Sequence, residues 1–445
     1  MSRVQLLAVV VLGLALAACG EQAGSQERTP SAVSSPNTPI STPQASPTPS
    51  ADTTSGSTAS AVETAQAGLI FFLRPPDEPW TPGTRDGVQL AQSDLWVADA
   101  DGSGERQISS GKTNVSFAGF LVAEDGPAVY YASGDETTFH LWRKALETGA
   151  ETEVLSFRPP PDMGPPYYAA AAVSPDGRQV ALVEGGNITL ADLATGGRRQ
   201  LFQHSQQGSK ETGLLSCLAY YRPHPPPDDS LLAVGCSGHE WLGQLIVDPS
   251  QPLSQPSANG RFMDIPLVPA WLDWRTSDKA CTTVSYDGQS GLYLLHGPDW
   301  AFDFQEAEDI TGYSPYPRSS EPSRGNVRQC AWLDEKRIAF WMWSYGSNYG
   351  IESLRIEVID ADTRAITTLM EFAEAPGAPS RLDIFVLRGE GLVVYNRYHD
   401  IWHEEERRHE AFTTAGVIQV ANGTSKPILR ERDYVVAVAE SPRAR

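Results

Sequence analysis

Ala169–Phe202, AAAAVSPDGRQVALVEGGNITLADLATGGRRQLF, reads as four short strands joined by three turns. Ala169–Val173 is a strand of small residues. Ser174-Pro175-Asp176-Gly177 has the composition of a type I turn, with Pro presetting φ at the second position and Gly at the fourth. Gln179–Val183 is the second strand, and Gly185-Gly186 turns it into the third, Asn187–Ala191. Ala194-Thr195-Gly196-Gly197 then leads into Arg198–Phe202. The second strand is apolar on both alternations, Val180 and Leu182 on one, Ala181 and Val183 on the other, so both its faces need cover. One four-stranded antiparallel sheet cannot cover both of its own faces. Similar sheets on either side can, as in a radial repeat.

The same pattern recurs along the chain. Val115–Val122, Ala128–Ala132, Phe139–Lys144 and Glu153–Phe157 precede the central unit. Leu214–Tyr220, Leu231–Cys236 and Gly243–Asp248 follow it. Next come Val268–Trp274, Ala280–Ser285, Leu292–His296 and Phe304–Glu308, then Val327–Leu333, Arg337–Trp343, Ser353–Asp360 and Ile366–Phe372. Leu382–Leu387, Gly391–Arg397, Thr413–Val420 and Pro427–Arg430 form the last full set. The first turns of successive units fall 49 to 57 residues apart. The head of the repeat region (Gly68–Arg74, Asp94–Ala98, Glu105–Ser109) lacks an inner strand, and the tail offers one, Asp433–Ala439. Joined, they make one unit. The expectation is an all-β, seven-bladed β-propeller over residues 67–445, its ring closed by the C-terminal strand joining the N-terminal blade, since closure removes free sheet edges. Six blades is the alternative if one weak unit is misread.

Ser174-Pro175-Asp176-Gly177-Arg178 followed by Val180-Ala181-Leu182, and Leu95-Trp96-Val97-Ala98-Asp99-Ala100-Asp101-Gly102, resemble the repeats of TolB-type propellers. Such repeats also build the propeller domains of prolyl-oligopeptidase-like peptidases. The resemblance implies a periplasmic or cell-surface location and protein docking. Where TolB has an N-terminal domain this chain has a linker, and it has no G-x-S-x-G elbow of a hydrolase.

The N-terminus gives an address. Met1-Ser2-Arg3 is a short positive segment, and Leu6–Ala18 is an apolar run of 13 residues, too short to span as an ordinary helix but suited to a signal peptide over residues 1–18. Leu16-Ala17-Ala18-Cys19-Gly20 resembles a bacterial lipobox, which implies that Cys19 is diacylated and becomes the new N-terminus. Two acyl chains suit stable anchoring. Residues 19–66 then form the lipidated Cys and a linker. Within 29–60, 22 of 32 residues are Ser, Thr or Pro, too little apolar surface to offset ordering entropy. As a coil, the stretch from Gly20 to Ala65 would reach roughly 35–40 Å. The protein is therefore expected outside the cytoplasm, tethered to a membrane by lipid on the periplasmic or cell-surface side.

Formal net charge is −21, of which residues 67–445 carry −19. Such a surface repels phosphate backbones, so nucleic acid is not an expected partner. Setting Cys19 aside, Cys217, Cys236, Cys281 and Cys330 are an even number in an oxidising compartment and make a plausible pair of disulfides. Three connectivities exist. Cys217 with Cys236 on one hairpin, and Cys281 with Cys330 on neighbouring blades, is the favoured one, with four buried free thiols as the alternative.

Catalytic signals are sparse. His399, His403 and His409 occur in YHDIWHEEERRHE, but Arg407 stands where a zincin needs its second His, and the segment reads as a charged loop or extended hairpin. Asp99-Ala-Asp101-Gly is half of a calcium loop and reads as a plain turn. Trp341, Trp343 and Tyr345 share a strand face, either as packing between blades or as a sugar-stacking platform. No motif calls for a cofactor or metal. Inner strands supply few charges, Asp273 and Arg328 being the exceptions noted. The expected function is a non-catalytic binding or scaffold module for a protein, peptide or glycan. The alternative is a glycan- or peptide-processing propeller enzyme, which requires charged side chains from different blades to meet near the axis with shifted pKa values.

Overall fold

The computed structural model describes residues 68–76 and, with breaks at several turns and connections, 93–440. The signal-like segment, Cys19 and the Ser/Thr/Pro tract lie outside the described residues. The described chain is all-β, with one 3-10 turn at Arg388–Glu390. Its strands form seven four-stranded antiparallel sheets.

The first sheet combines β1 (Leu69–Arg74), β2 (Asp94–Asp99) and β3 (Arg106–Gln107) with the last strand of the chain. The second holds β4 (Ser116–Ala123), β5 (Gly126–Gly134), β6 (Phe139–Ala145) and β7 (Glu151–Phe157). The third, from the opening stretch, holds β8 (Ala170–Val173), β9 (Gln179–Glu184), β10 (Asn187–Asp192) and β11 (Arg198–Phe202). The fourth holds β12 (Ser216–Arg222), β13 (Leu231–Gly238), β14 (Trp241–Val247) and β15 (Gly260–Phe262). In the fifth are β16 (Pro269–Thr276), β17 (Lys279–Tyr286), β18 (Gln289–His296) and β19 (Glu308–Asp309). The sixth has β20 (Gly325–Trp332), β21 (Arg337–Tyr345), β22 (Ile351–Asp360) and β23 (Ile366–Ala373). The seventh has β24 (Arg381–Leu387), β25 (Leu392–His403), β26 (Arg408–Gln419) and β27 (Thr424–Pro427). The last strand, β28 (Tyr434–Ala439), pairs with β1, Leu69 opposite Ala439 and Leu73 opposite Tyr434.

Apolar faces of successive sheets bury one another, as the two-sided second strands require. Phe71 and Val97 pack against Val129 and Tyr131 between the first and second sheets. Leu141 and Phe139 meet Val180 and Leu182 between the second and third. β12 contacts β8 and β9, and β14 contacts β16. Leu292 and Leu294 face Trp332 and Phe340 between the fifth and sixth sheets. Trp341 and Ile356 meet Ile384 and Val393 between the sixth and seventh. Val394 and Val417 pack on Ile70, Phe72 and Val435, which returns the contacts to the first sheet.

The turns explain the local chain paths. Gly177 N–H donates to Ser174 O at 2.9 Å, and Gly177 takes φ +70°, a conformation costly for a residue with a Cβ. The turn from third to fourth strand repeats a device. The Asp192 carboxylate accepts from the Ala194 and Thr195 N–H groups, and that of Asp360 accepts from Asp362 and Thr363. Asn422 does the same for Thr424 at 2.9 Å. Arg364 occupies the left-handed position that Gly196 fills in the third sheet, and its guanidinium reaches Glu308 in the neighbouring fifth sheet.

Some edges differ from the sequence reading. The outermost strand of the seventh sheet is Thr424–Pro427 rather than Pro427–Arg430, because the Asn422–Thr424 cap starts the strand early. Gly260–Phe262 completes the fourth sheet; three residues without alternating apolar character give no periodic signal. The β25–β26 ladder runs from Leu392–Gln419 out to His403–Arg408, an extended hairpin.

Candidate functional site

Two buried amides align the leading strands of three neighbouring sheets. Gln329 on β20 donates to Ile384 O at 2.8 Å and accepts from Ile384 N–H at 2.9 Å. Asn396 on β25 donates to Val435 O at 2.8 Å and accepts from Val435 N–H at 2.9 Å. Each amide thus acts as a short piece of strand against a neighbouring backbone edge. Asp383 and Tyr434 each precede a clasped residue, which sets them on one tier across β24 and β28.

At that tier a polar cluster forms. Asp383 Oδ1 accepts from Arg381 Nη2 at 2.9 Å and Nε at 3.2 Å. Its Oδ2 accepts from Tyr398 Oη at 2.9 Å and Tyr434 Oη at 3.1 Å. The Arg381 guanidinium lies 5.1 Å from the Tyr398 ring centroid, and the Tyr398 and Tyr434 rings are 5.7 Å apart. Alternation along β24 makes this arrangement: Leu382 and Ile384 go into the core, so Arg381 and Asp383 share the other face. Register places Tyr398 opposite Arg381, and the β28 pairing brings in Tyr434. The Arg381 side chain keeps 39 % exposure against 14 % for Asp383, so the cluster is reachable from solvent through its arginine.

Burial acts against the Arg381 charge, but Asp383 beside it holds the guanidinium above its ordinary value. Burial, then the Asp383 charge, pushes the Tyr398 hydroxyl well above its ordinary value, and Tyr434 moves the same way for the same reasons. Both hydroxyls therefore stay protonated and donate to Asp383 across the physiological range. A carboxylate saturated by an arginine and two phenols is an anchor for its neighbours.

Of the sequence candidates, Arg328 stacks on Trp343, its Cζ 4.0 Å from the ring centroid. Asp273 does not join the Arg381 cluster. Its Oδ2 accepts from Trp332 N–H at 2.8 Å and Arg388 Nη2 at 3.1 Å, tying three sheets together beyond the far end of β20. Trp341 is buried with its Nε1 directed at Gln329 Oε1, 3.3 Å away, and Trp343 packs edge-on against it, so this pair serves packing between sheets. His399 stacks on Phe412 with centroids 4.6 Å apart, and its Nε2 is 2.9 Å from Thr414 Oγ1. The turn 404–407 lies outside the described residues, as do the side chains of His403 and His409. Asp99–Ser103 closes as a turn, Gly102 N–H donating to Asp99 O at 2.8 Å. Cys281 and Cys330 are bonded across the fifth and sixth sheets with Cα atoms 6.5 Å apart. Cys217 stands opposite Cys236 in the β12–β13 ladder, and their side chains lie outside the described residues.

Arg381, Asp383, Tyr398 and Tyr434 were not singled out from the sequence, although R-L-D-I-F carries a signal. Two charges share one alternation of a leading strand whose other alternation is apolar. A second polar spot, a 140 Å³ cavity at the β1–β28 seam, is lined by Arg74, Arg430 and Asp433. There Arg74 spends its donors on Asp433, at 2.6 and 2.9 Å, and on Glu105, at 2.8 and 3.0 Å.

No protein-family model matches the chain, and no curated protein matches it. Among solved structures, TolB from Acinetobacter baumannii aligns over 84 % of this chain and 66 % of its own, with 15 % identity and a TM-score of 0.36. A prolyl endopeptidase aligns over 77 % of this chain at 11 % identity and a TM-score of 0.47, and this chain spans only 46 % of it. An oligogalacturonate lyase solved with manganese aligns over 82 % of this chain and 86 % of its own, with 11 % identity and a TM-score of 0.43.

Proposed function

We propose that the seven sheets are the blades of one closed β-propeller, with β28 completing the blade of β1–β3, and that this ring is a lipid-anchored binding module outside the cytoplasm. Support for the ring comes from the cycle of contacts between neighbouring sheets, which runs through all seven and returns from the seventh to the first. In a ring of this kind β20, β24 and β28 line the axis, and the Arg381 cluster sits at the mouth of the central channel. Support for the anchor comes from Leu16-Ala17-Ala18-Cys19-Gly20 and the Ser/Thr/Pro tract behind it.

The observation that carries the binding reading is the saturation of Asp383. The one carboxylate of the mouth cluster is engaged by Arg381, Tyr398 and Tyr434, and through these bonds it holds the arginine in one orientation. A binder needs such a rigid, preorganised group. The partner is a protein, peptide or glycan. The test is affinity capture on the full lipidated chain from its native envelope, with the Arg381→Gln chain as reference, followed by mass spectrometry and a glycan- and peptide-hydrolysis panel. A partner retained by the native chain and lost with Arg381→Gln is expected. Turnover of a panel substrate would replace this reading with the enzymatic one. In parallel, Cys19→Ser should move the protein from the membrane to the soluble fraction; continued sedimentation with membranes would refute the anchor.

A further inference from the structure

Resting on the binding reading above, we propose that the mouth cluster recognises the terminal carboxylate of a peptide through Arg381. A guanidinium has five N–H donors in a planar fork. Asp383 engages Nε and Nη2 of Arg381, and among the described residues Nη1 makes no hydrogen bond. The contact to Asp383 and the stacking over Tyr398 fix the plane of the group, so its remaining edge is presented in one orientation. With 39 % of the side chain exposed, the group is reachable from solvent. It matches a carboxylate, which accepts paired N–H donors from arginine.

The charges of the cluster admit an anion. Arg381 faces the single carboxylate of Asp383. Both tyrosine hydroxyls donate to Asp383, which spreads its charge and reduces its repulsion of an incoming carboxylate.

A saccharide is the weaker fit. Sugar binding at a channel mouth uses open aromatic faces, and here guanidinium groups cover them. Arg381 lies over Tyr398, and Arg328 lies 4.0 Å over Trp343.

The experiment titrates the full wild-type chain in detergent with three fluorescent probes. They are a degenerate tetrapeptide mixture with free C-termini, the same mixture amidated at the C-terminus, and a set of oligouronides. The free-acid mixture should bind at least about tenfold tighter than the amidated one, since a charged hydrogen-bonded pair is lost on amidation. Arg381→Gln should abolish that preference. Arg364→Gln, at the turn after β22 and outside the cluster, should retain it. Because the acid–amide comparison uses the wild-type chain, it does not depend on any variant folding. Equal binding of acid and amide, binding of neither, or tighter binding of oligouronides would overturn the proposal. If that happened while affinity capture still retained a partner, the binding-module reading would stand and only the ligand class would fall.

Discussion

Replacing Asn396 with leucine tests how the tail strand is held. Asn396 is fully buried, and its amide satisfies both the N–H and the C=O of Val435. In an antiparallel ladder, alternate residues turn their hydrogen-bonding groups away from the partner strand. Val435, opposite Phe72 on β1, is such a residue, and only Asn396 meets its outward groups. Leucine has the same number and branching of side-chain heavy atoms and neither donor nor acceptor. Asn396→Leu therefore strands two buried backbone groups at about 1–3 kcal/mol each, or about 2–6 kcal/mol together. Urea unfolding should show a lower midpoint with an unchanged slope. Hydrogen exchange should show the Val435 amide losing protection by a factor matching the same free energy. Gln329→Leu removes the equivalent clasp between β20 and Ile384 and should cost a similar amount, with the loss of protection at Ile384 instead. A stability change for Asn396→Leu under about 0.5 kcal/mol, the range of ordinary surface substitutions, with Val435 still protected, would refute the reasoning.

Three more outcomes follow from the coordinates. Cys281→Ala with Cys330→Ala removes a link across 49 residues and should cost about 4 kcal/mol by loop entropy, read as a lower thermal midpoint equal to that of the reduced wild type. The Arg74 hydrogen bonds hold the Glu105 carboxyl below the usual carboxylate range, against the opposing effect of burial. The folded value thus lies below the unfolded one, so Glu105 contributes its stability above the ordinary carboxylate range and loses it as pH falls through the folded value. Acid should therefore loosen the β1–β28 seam, and Glu105→Gln should flatten that part of the profile of melting temperature against pH. Gly102 takes φ +84°, and a Cβ there would stand 2.3 Å from Ile428 O, whereas Gly111, at φ +65°, has nothing within 4 Å. Gly102→Val should lower the melting temperature well beyond Gly111→Val, the excess measuring the clash separately from the backbone cost of about 1–2 kcal/mol.

The strand pattern was legible because each unit pairs a two-sided apolar strand with Gly, Pro and Asp turns. Val180-Ala181-Leu182 and Ser174-Pro175-Asp176-Gly177 are enough to state both the hairpin and the need for flanking sheets. The pairing of Asp433–Ala439 with Gly68–Arg74 was legible from the missing strand at one end and the spare strand at the other, and the ladder of β1 with β28 has that form. The short outer strands were legible only in part. Arg106–Gln107 falls inside the expected Glu105–Ser109, Glu308–Asp309 only touches the expected Phe304–Glu308, and Gly260–Phe262 carries no periodic apolar signal. The Arg381 cluster was hidden for a different reason. Its four side chains come from three strands, and only the register of Arg381 with Tyr398 and the Asn396–Val435 clasp bring Tyr434 to Asp383. Asp273 shows the converse. A buried inner-strand carboxylate looks functional in sequence, yet here it fastens the Trp332 backbone of the next sheet.

Leu69 pairs with Ala439, so the earliest-made strand of the described region waits for the last one. Contacts this remote in sequence are the slowest to form. Until β28 docks, the inner edge of β1 stays open as a template for the wrong partner. A chain truncated before residue 434 cannot sheathe that edge and presents one exposed strand.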